Sequence, residues 1–376
     1  MRANVDAANE PEKDVEEEDS AGGRGLDSYP LDSLLIRPEQ RTIVDVLRRI
    51  EKGTIKLNPD FQRDFVWQTE RQSRLIESIL MRIPLPVLYV AEDAEGKLVV
   101  VDGQQRLTTL RNFGTGELKL ELKNPELQGK TIDTLPPKLR NRFEDGQLQF
   151  YIIDSKAPDR VRYDIFDRVN SGVPLTRQQM RNALYNGPAT ALLRELTGTE
   201  EFGEATGWAL AKEVYQQDQR DREVINRFLA FRVLGRQAYT TDKQADMDEF
   251  LSRALGRVNR MPENERDAHR EAFLRSMRMN QKVYGRHAFR KHTSPNEPRK
   301  PFNLALFEVF SVLFAAYQED PIKGKRMEDK LRSGFYNLMG DPRFLRSISA
   351  ATTAPESVAA RFDLADAMVR GVLGDP

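Results

Sequence analysis

The run Leu98-Val99-Val100-Val101 followed at once by Asp102-Gly103-Gln104-Gln105-Arg106 constrains this chain more than any other stretch. The apolar residues read as a strand, and the residues from Gln104 to about Phe113 read as a helix. A strand that ends in Asp-Gly and opens directly into a helix builds an anion site. Gly103 lets the backbone approach a phosphate closely or adopt a positive φ. The first amides of the helix are donors without helical acceptors, at the positive end of the dipole. Arg106 adds a planar fork suited to phosphate oxygens, and Thr108 and Thr109 add hydroxyls to the same turns. The same spacing also suits a plain strand-turn-helix corner in which Asp102 merely caps the helix. Local sequence leaves both readings open.

The surroundings of this corner predict a mixed α/β region. Ile43, Val46, Leu47 and Ile50 recur at helical spacing, with Gly53 at the C-cap. A short strand, Thr54 to Leu57, precedes the polar and aromatic loop NPDFQRDFVW at residues 58–67. Thr69 and Gln72 suggest a capping box for the helix that carries Leu75, Ile76, Ile79 and Leu80. The strands PVLYVAE and KLVVVD form a hairpin across Asp93 to Gly96. Short strands and turns are expected from Glu117 to Thr134, then a helix from Pro137 to Glu144 and a strand over 147–154. A helix near Pro158 brings Ile165, Phe166 and Val169 inward and runs into Asn170. Thr176 caps the next helix. Beyond about Arg181 no strand is expected. Residues 221–239, 246–258, 264–286, 301–318, 325–338 and about 356–372 read as helices. The expected fold class is α+β. A mixed domain at 26–180 precedes an all-helical domain at 181–376, and 1–25 form an acidic, disordered tail.

Charge and composition exclude several chemistries. The 376 residues contain no cysteine and three histidines, which removes disulfides, thiolate zinc sites, cysteine nucleophiles and a His-rich metal centre. No apolar run reaches the roughly 18 residues that span a bilayer, and the N-terminus lacks a signal pattern. The expected location is therefore the cytoplasm. Net charge is zero but unevenly spread: residues 1–25 hold eight acids and three bases. The acidic run from Glu10 to Asp19 has too few apolar residues to offset its ordering entropy. Such a tail either solubilises the chain or masks a basic surface.

Three segments of the mixed domain carry candidate chemistry: Phe61-Gln62-Arg63, Asp102 to Arg106, and Phe166 to Asn170. In this order, and with the neighbouring FQRDFVW and NSGVPLT, they resemble the N-terminal domain of GmrSD-type modification-dependent restriction endonucleases. That resemblance covers roughly residues 35–190. It implies a ParB/sulfiredoxin-like fold, nucleoside triphosphate binding, often with hydrolysis and Mg²⁺, and a role in bacterial defence against phage or modified DNA. Carried over, Asp102, Gly103, Gln104, Gln105 and Arg106 form the nucleotide site, Gln62 and Arg63 approach from the loop, and Phe166 and Asn170 close it; Thr108, read from its own place in the first turns, joins the nucleotide-binding candidates. Asp102, Gln105 and Arg106 are the candidate catalytic residues, and Asp102 is the candidate metal ligand. Each has a structural alternative: Arg63 a surface ion pair, Phe166 a core residue, Asn170 a helix C-cap.

The chain departs from many members of that family in lacking a recognisable HNH nuclease. His287, His292 and Asn296 lie close in sequence without the strand context or acidic ligands of such a site. Either a separate nuclease or defence protein is the partner, or the protein acts without one. Arg275, Arg278, Lys282, Arg286 and Arg290 recur at spacings of three and four, as one helical face would, and Glu297 is the only acid between positions 278 and 300. That stripe either contacts DNA phosphates or is simply solvated. Three functional readings follow: an NTP-hydrolysing sensor, a non-catalytic nucleotide-gated DNA clamp, and a DNA nickase using the same pocket. A sulfiredoxin-like reductase is excluded by the lack of cysteine.

Overall fold

The computed structural model describes residues 36–57, 67–93, 95–157, 159–169, 176–208, 219–243 and 245–376. The expected acidic tail, Gln62, Arg63 and Asn170 lie outside these residues. The chain divides into two compact units, one ending at Tyr185 and one running from Asn186 to Pro376.

The first unit is a mixed α+β layer. Its elements are β1 (Ile36–Thr42), α1 (Ile43–Glu51), β2 (Ile55–Lys56), α2 (Thr69–Leu80), β3 (Leu88–Glu92) and β4 (Leu98–Asp102). They continue with α3 (Gln104–Gly114), α4 (Pro137–Glu144), β5 (Gln147–Ile153), α5 (Asp159–Val169) and α6 (Arg177–Leu184). The five strands lie in the order β1-β5-β3-β4-β2. β1 and β5 are antiparallel, as are β3 and β4, whereas β3 with β5 and β2 with β4 run parallel.

The unbroken apolar run of β4 is explained by burial on both faces. Leu98 and Val100 join Ile43, Ile76, Leu107, Phe113 and Phe143 in one core. Val101 belongs to a second core with Ile153, Val161, Phe166 and Met180. The hairpin from β3 to β4 closes as its sequence predicts: Asp93 N donates to Lys97 O at 2.8 Å, and Asp93 Oδ1 accepts from Lys97 N.

Several local expectations are corrected. β1 is an edge strand that its sequence hides: IRPEQRT does not alternate, and its outer side is exposed, where Pro38 is tolerated. Residues 117–131 contain no strand; they are turns leading to a short 3₁₀ segment, Ile132–Thr134. Thr69 is the first helical residue rather than the N-cap, which is Gln68, and Gln72 instead donates to Trp67 O at 2.9 Å. The Thr176 cap holds, in a reciprocal box with Gln179.

Among the described helix ends of the first unit, one is irregular. α1 stops in a Schellman pattern with Gly53 at φ +69°: Gly53 N donates to Ile50 O and Thr54 N to Arg49 O. α2 stops in the same pattern, with Arg82 N on Ile79 O and Ile83 N on Ser78 O, yet the left-handed residue is Arg82, at φ +62°. A side chain there costs about 1 kcal/mol relative to glycine.

The second unit is helical among its described residues. Its longest helix, Glu263–Tyr284, is followed by Gly285 at φ +53° and a 3₁₀ turn, Gly285–His287. Helices at Pro188–Thr197, Glu200–Thr206 and Pro342–Ser347 add to those read from sequence, and the segment read as 221–239 is broken at Gly235. Glu308, fully buried, accepts from Arg227 at 2.6 Å and from Arg361, so three helices are pinned by one carboxylate.

Candidate nucleotide corner

β4 delivers Asp102 to the end of the sheet, and the chain turns at Gly103 with φ +100° and ψ +11°. Only glycine fits. A Cβ here would lie 2.0 Å from Leu88 Cδ2, the first residue of the neighbouring strand β3. Leu107 N closes the first helical turn on Gly103 O at 2.9 Å. Gly103, having no side chain, leaves the first-turn amides of α3 without a cap from that position. Gln105 Oε1 is buried and has no hydrogen-bond partner among the described residues, an expensive state for an amide oxygen. Thr109, buried, is spent on its own helix, donating to Gln105 O at 2.8 Å, whereas Thr108 is half-buried.

Arg106 departs from the simple phosphate fork. Its Nη1 donates to Pro86 O, and its Nη2 donates to Val87 O at 3.1 Å and to Asp102 Oδ2 at 2.8 Å. The side chain is 12% exposed. Burial draws its pKa down, and the Asp102 carboxylate draws it back up. The guanidinium thus ties the segment entering β3 to the helix that leaves β4. No sequence pattern signalled this task, because Pro86 and Val87 contribute backbone oxygens, which any residue carries. Asp102, 29% exposed, keeps Oδ1 clear of that ion pair.

Residues 43–186 match the family model for the GmrSD restriction endonuclease, N-terminal domain. The first unit is a GmrSD N-terminal domain. No curated protein and no solved structure matches the chain. A domain of this family suggests a restriction-system protein.

Of the site residues read from sequence, the structure brings Asp102, Gly103, Gln105 and Arg106 together at this corner of the GmrSD domain. Phe166 is not a lid over it. That ring is 2% exposed and sits in the core with Val101 and Met180, so α5 has used it for packing.

The basic stripe of the second unit is also corrected. The helix ends at Tyr284, so Arg286 and Arg290 leave the face that Arg275, Arg278 and Lys282 would share. Each of the five is engaged. Arg275 donates to Tyr317 O at 2.7 Å, Arg278 pairs with Glu201 at 2.7 Å, and Lys282 pairs with Asp320 at 2.8 Å. Arg286 reaches Glu297 O, and Arg290, with no exposure at all, donates to Thr206 O at 2.7 Å. The repeat in sequence continued past a helix terminus that Gly285 imposes. His287 and His292 are both buried, with rings stacked at 4.8 Å, and among the described residues no cluster of three or more His, Asp or Glu side chains could hold a metal ion. Among the described residues, no helix is long and apolar enough to cross a membrane.

Proposed function

We propose that the GmrSD domain binds a nucleoside triphosphate at the Gly103 corner and hydrolyses it, as the sensor or regulator of a bacterial restriction or anti-phage system. The observation that carries this reading is the left-handed Gly103, which turns a strand end into an uncapped helix N-terminus beside a carboxylate. In this reading the amides of Gln105 and Arg106 hold phosphate oxygens. Arg106 acts mainly by setting the shape of the corner and its positive potential, since most of its donors face the protein's own oxygens. Gln105 supplies a buried carboxamide oxygen in need of a donor, such as an attacking water.

Mg²⁺ fits the donor set. It binds through one or two carboxylates together with nucleotide phosphates and water, and Asp102 Oδ1 is such a donor. Bound there, the ion would offset charge on the phosphates. The proposed fold relationship is ParB/sulfiredoxin-like. DNA cleavage in this account is performed by a separate nuclease, and DNA and that nuclease are the proposed partners.

A second reading, a nucleotide-gated clamp without hydrolysis, draws on the tie from Arg106 to Pro86 and Val87. Phosphates at α3 would pull on the segment entering β3 through that guanidinium. Calorimetry with each of the four NTPs, combined with phosphate release by the parent and Asp102→Asn, tests both. Hydrolysis lost with binding retained in Asp102→Asn supports the hydrolase. Tight binding by a parent that releases no phosphate supports the clamp, and no binding of any NTP removes both readings.

A further inference from the structure

A cleft of about 680 Å³ opens in the first unit between the α2–β3 connection, the C-terminal end of α4 and the start of β5. It does not include Asp102, Gly103 or Gln105. Its size is that of a small-molecule site. Ile83, Pro84 and Leu85 supply an accessible apolar lining over the buried Ile43, Ile79 and Leu148, and Arg82, Lys138 and Arg142 contribute three cations against one acid, Asp145.

The cations are unusual for this protein, in which arginines are mostly paired. Arg82 and Lys138 make no side-chain hydrogen bond or ion pair among the described residues, and both are exposed. Arg142 donates one bond, from Nη1 to Leu80 O at 3.3 Å, and its Nε is buried with no partner. The backbone adds an independent sign. Arg82 occupies the left-handed stop of α2, where α1 uses Gly53. Strain of this kind marks positions where a side chain is kept for something other than stability. Met81 and Ile83, on either side of it, are 57% and 52% exposed. A strained, unpaired arginine between two exposed apolar side chains therefore stands at the lip of a cleft with an apolar lining.

We propose that this cleft binds a small amphipathic anion, an apolar body carrying a phosphate-like head. The body lies against Ile83, Pro84 and Leu85, and the head is held by Arg82 and Lys138, with the Arg142 guanidinium adding positive charge behind them. The segment that forms the lip continues into Pro86 and Val87, the two carbonyls held by Arg106. An occupant is thus felt one hydrogen bond away from α3. The proposal does not depend on nucleotide binding at Gly103.

The test uses the full chain and 2-naphthyl phosphate as the probe, followed by calorimetry. Uncharged 2-naphthol and inorganic phosphate serve as half-ligands, and each should bind at least tenfold more weakly than the probe. Arg82→Glu combined with Lys138→Glu should weaken the probe at least tenfold with an unchanged circular dichroism spectrum, since both side chains are exposed. Arg82→Gly separates function from folding. It should raise the melting temperature of the unit by about 2 °C, by removing the left-handed strain, while weakening the probe several-fold. The proposal is overturned if the probe fails to saturate the protein, if 2-naphthol binds as tightly, or if the double reversal leaves the affinity unchanged. It is equally overturned if Arg82→Gly binds the probe as the parent does.

Discussion

Removal of Arg106 should weaken the fold of the first unit as well as any ligand contact, and the size of the loss follows from its bonds. Arg106→Ala strands Pro86 O and Val87 O, and it frees Asp102 from its ion pair. Pro86 is exposed and Val87 half-buried, so water recovers part of each carbonyl's hydration. Each lost bond then costs about 1–1.5 kcal/mol, the upper part of the ordinary range rather than the full value for a charged donor. The pair with Asp102, at 29% exposure, adds about 0.5 kcal/mol. The sum, about 2.5–3.5 kcal/mol, corresponds to a fall of about 1–2 M in the urea midpoint of a unit this size. Tryptophan fluorescence can read this unit alone. The chain has two tryptophans, Trp67 in the first unit and Trp208 in the second. A Trp208→Phe background therefore leaves Trp67 as the reporter. Arg106→Lys should recover less than half of the loss, because one ammonium cannot reproduce the fork to two carbonyls and a carboxylate. An unchanged midpoint in Arg106→Ala, with nucleotide affinity lost, would refute the tie and return Arg106 to the role of a ligand group.

Three further outcomes are expected. Gly103→Ala forces a Cβ toward Leu88 at a positive φ, so the first unit should lose about 2–4 kcal/mol in urea melts, and a near-neutral effect would refute the close approach. Glu308→Ala leaves Arg227 and Arg361 buried without their shared carboxylate and should cost the second unit about 3–5 kcal/mol by chemical denaturation, against less than 1 kcal/mol if the triad is slack. Burial is the leading cause that lowers the pKa of His287 and of His292, so the unfolded chain takes up their protons first. Their contribution is complete above the ordinary histidine pKa near 6.5 and is lost as pH falls below it toward the depressed folded values. Melting of the second unit should therefore drop between pH 7 and 5, and His292→Phe, beside Phe335, should flatten that drop if the protein folds as described.

Where a segment's own residues decided its structure, the sequence was readable. The apolar run of β4, the glycine at 103, the Thr176 cap and the body of the long helix all rest on local chemistry. Where a distant backbone atom decided the outcome, it was not. β1 is a strand because β5 offers it a partner across 105 to 117 positions, not because IRPEQRT favours extension. Arg106 looked like a phosphate fork because the carbonyls it serves have no sequence signature. Phe166 fits either stacking or packing by composition, and only the second core assigns it. The basic stripe failed for a local reason that could have been read: Gly285 stands inside it, and a glycine at that point of a helical pattern marks a terminus. Its arginines were then drawn to Thr206 O, Tyr317 O and Glu201, partners that no spacing rule brings into view.

The central claim is that nucleotide phosphates meet the first-turn amides of α3. Selective ¹⁵N labelling of glutamine and arginine in the full-length protein, with TROSY spectra recorded during titration with each NTP and Mg²⁺, reads those amides directly. The account predicts saturable shifts at Gln105 and Arg106 amides that exceed those of Gln72 and Arg111 in the same unit. Saturable NTP binding with Gln105 and Arg106 unshifted, or no binding by any of the four NTPs, would contradict it.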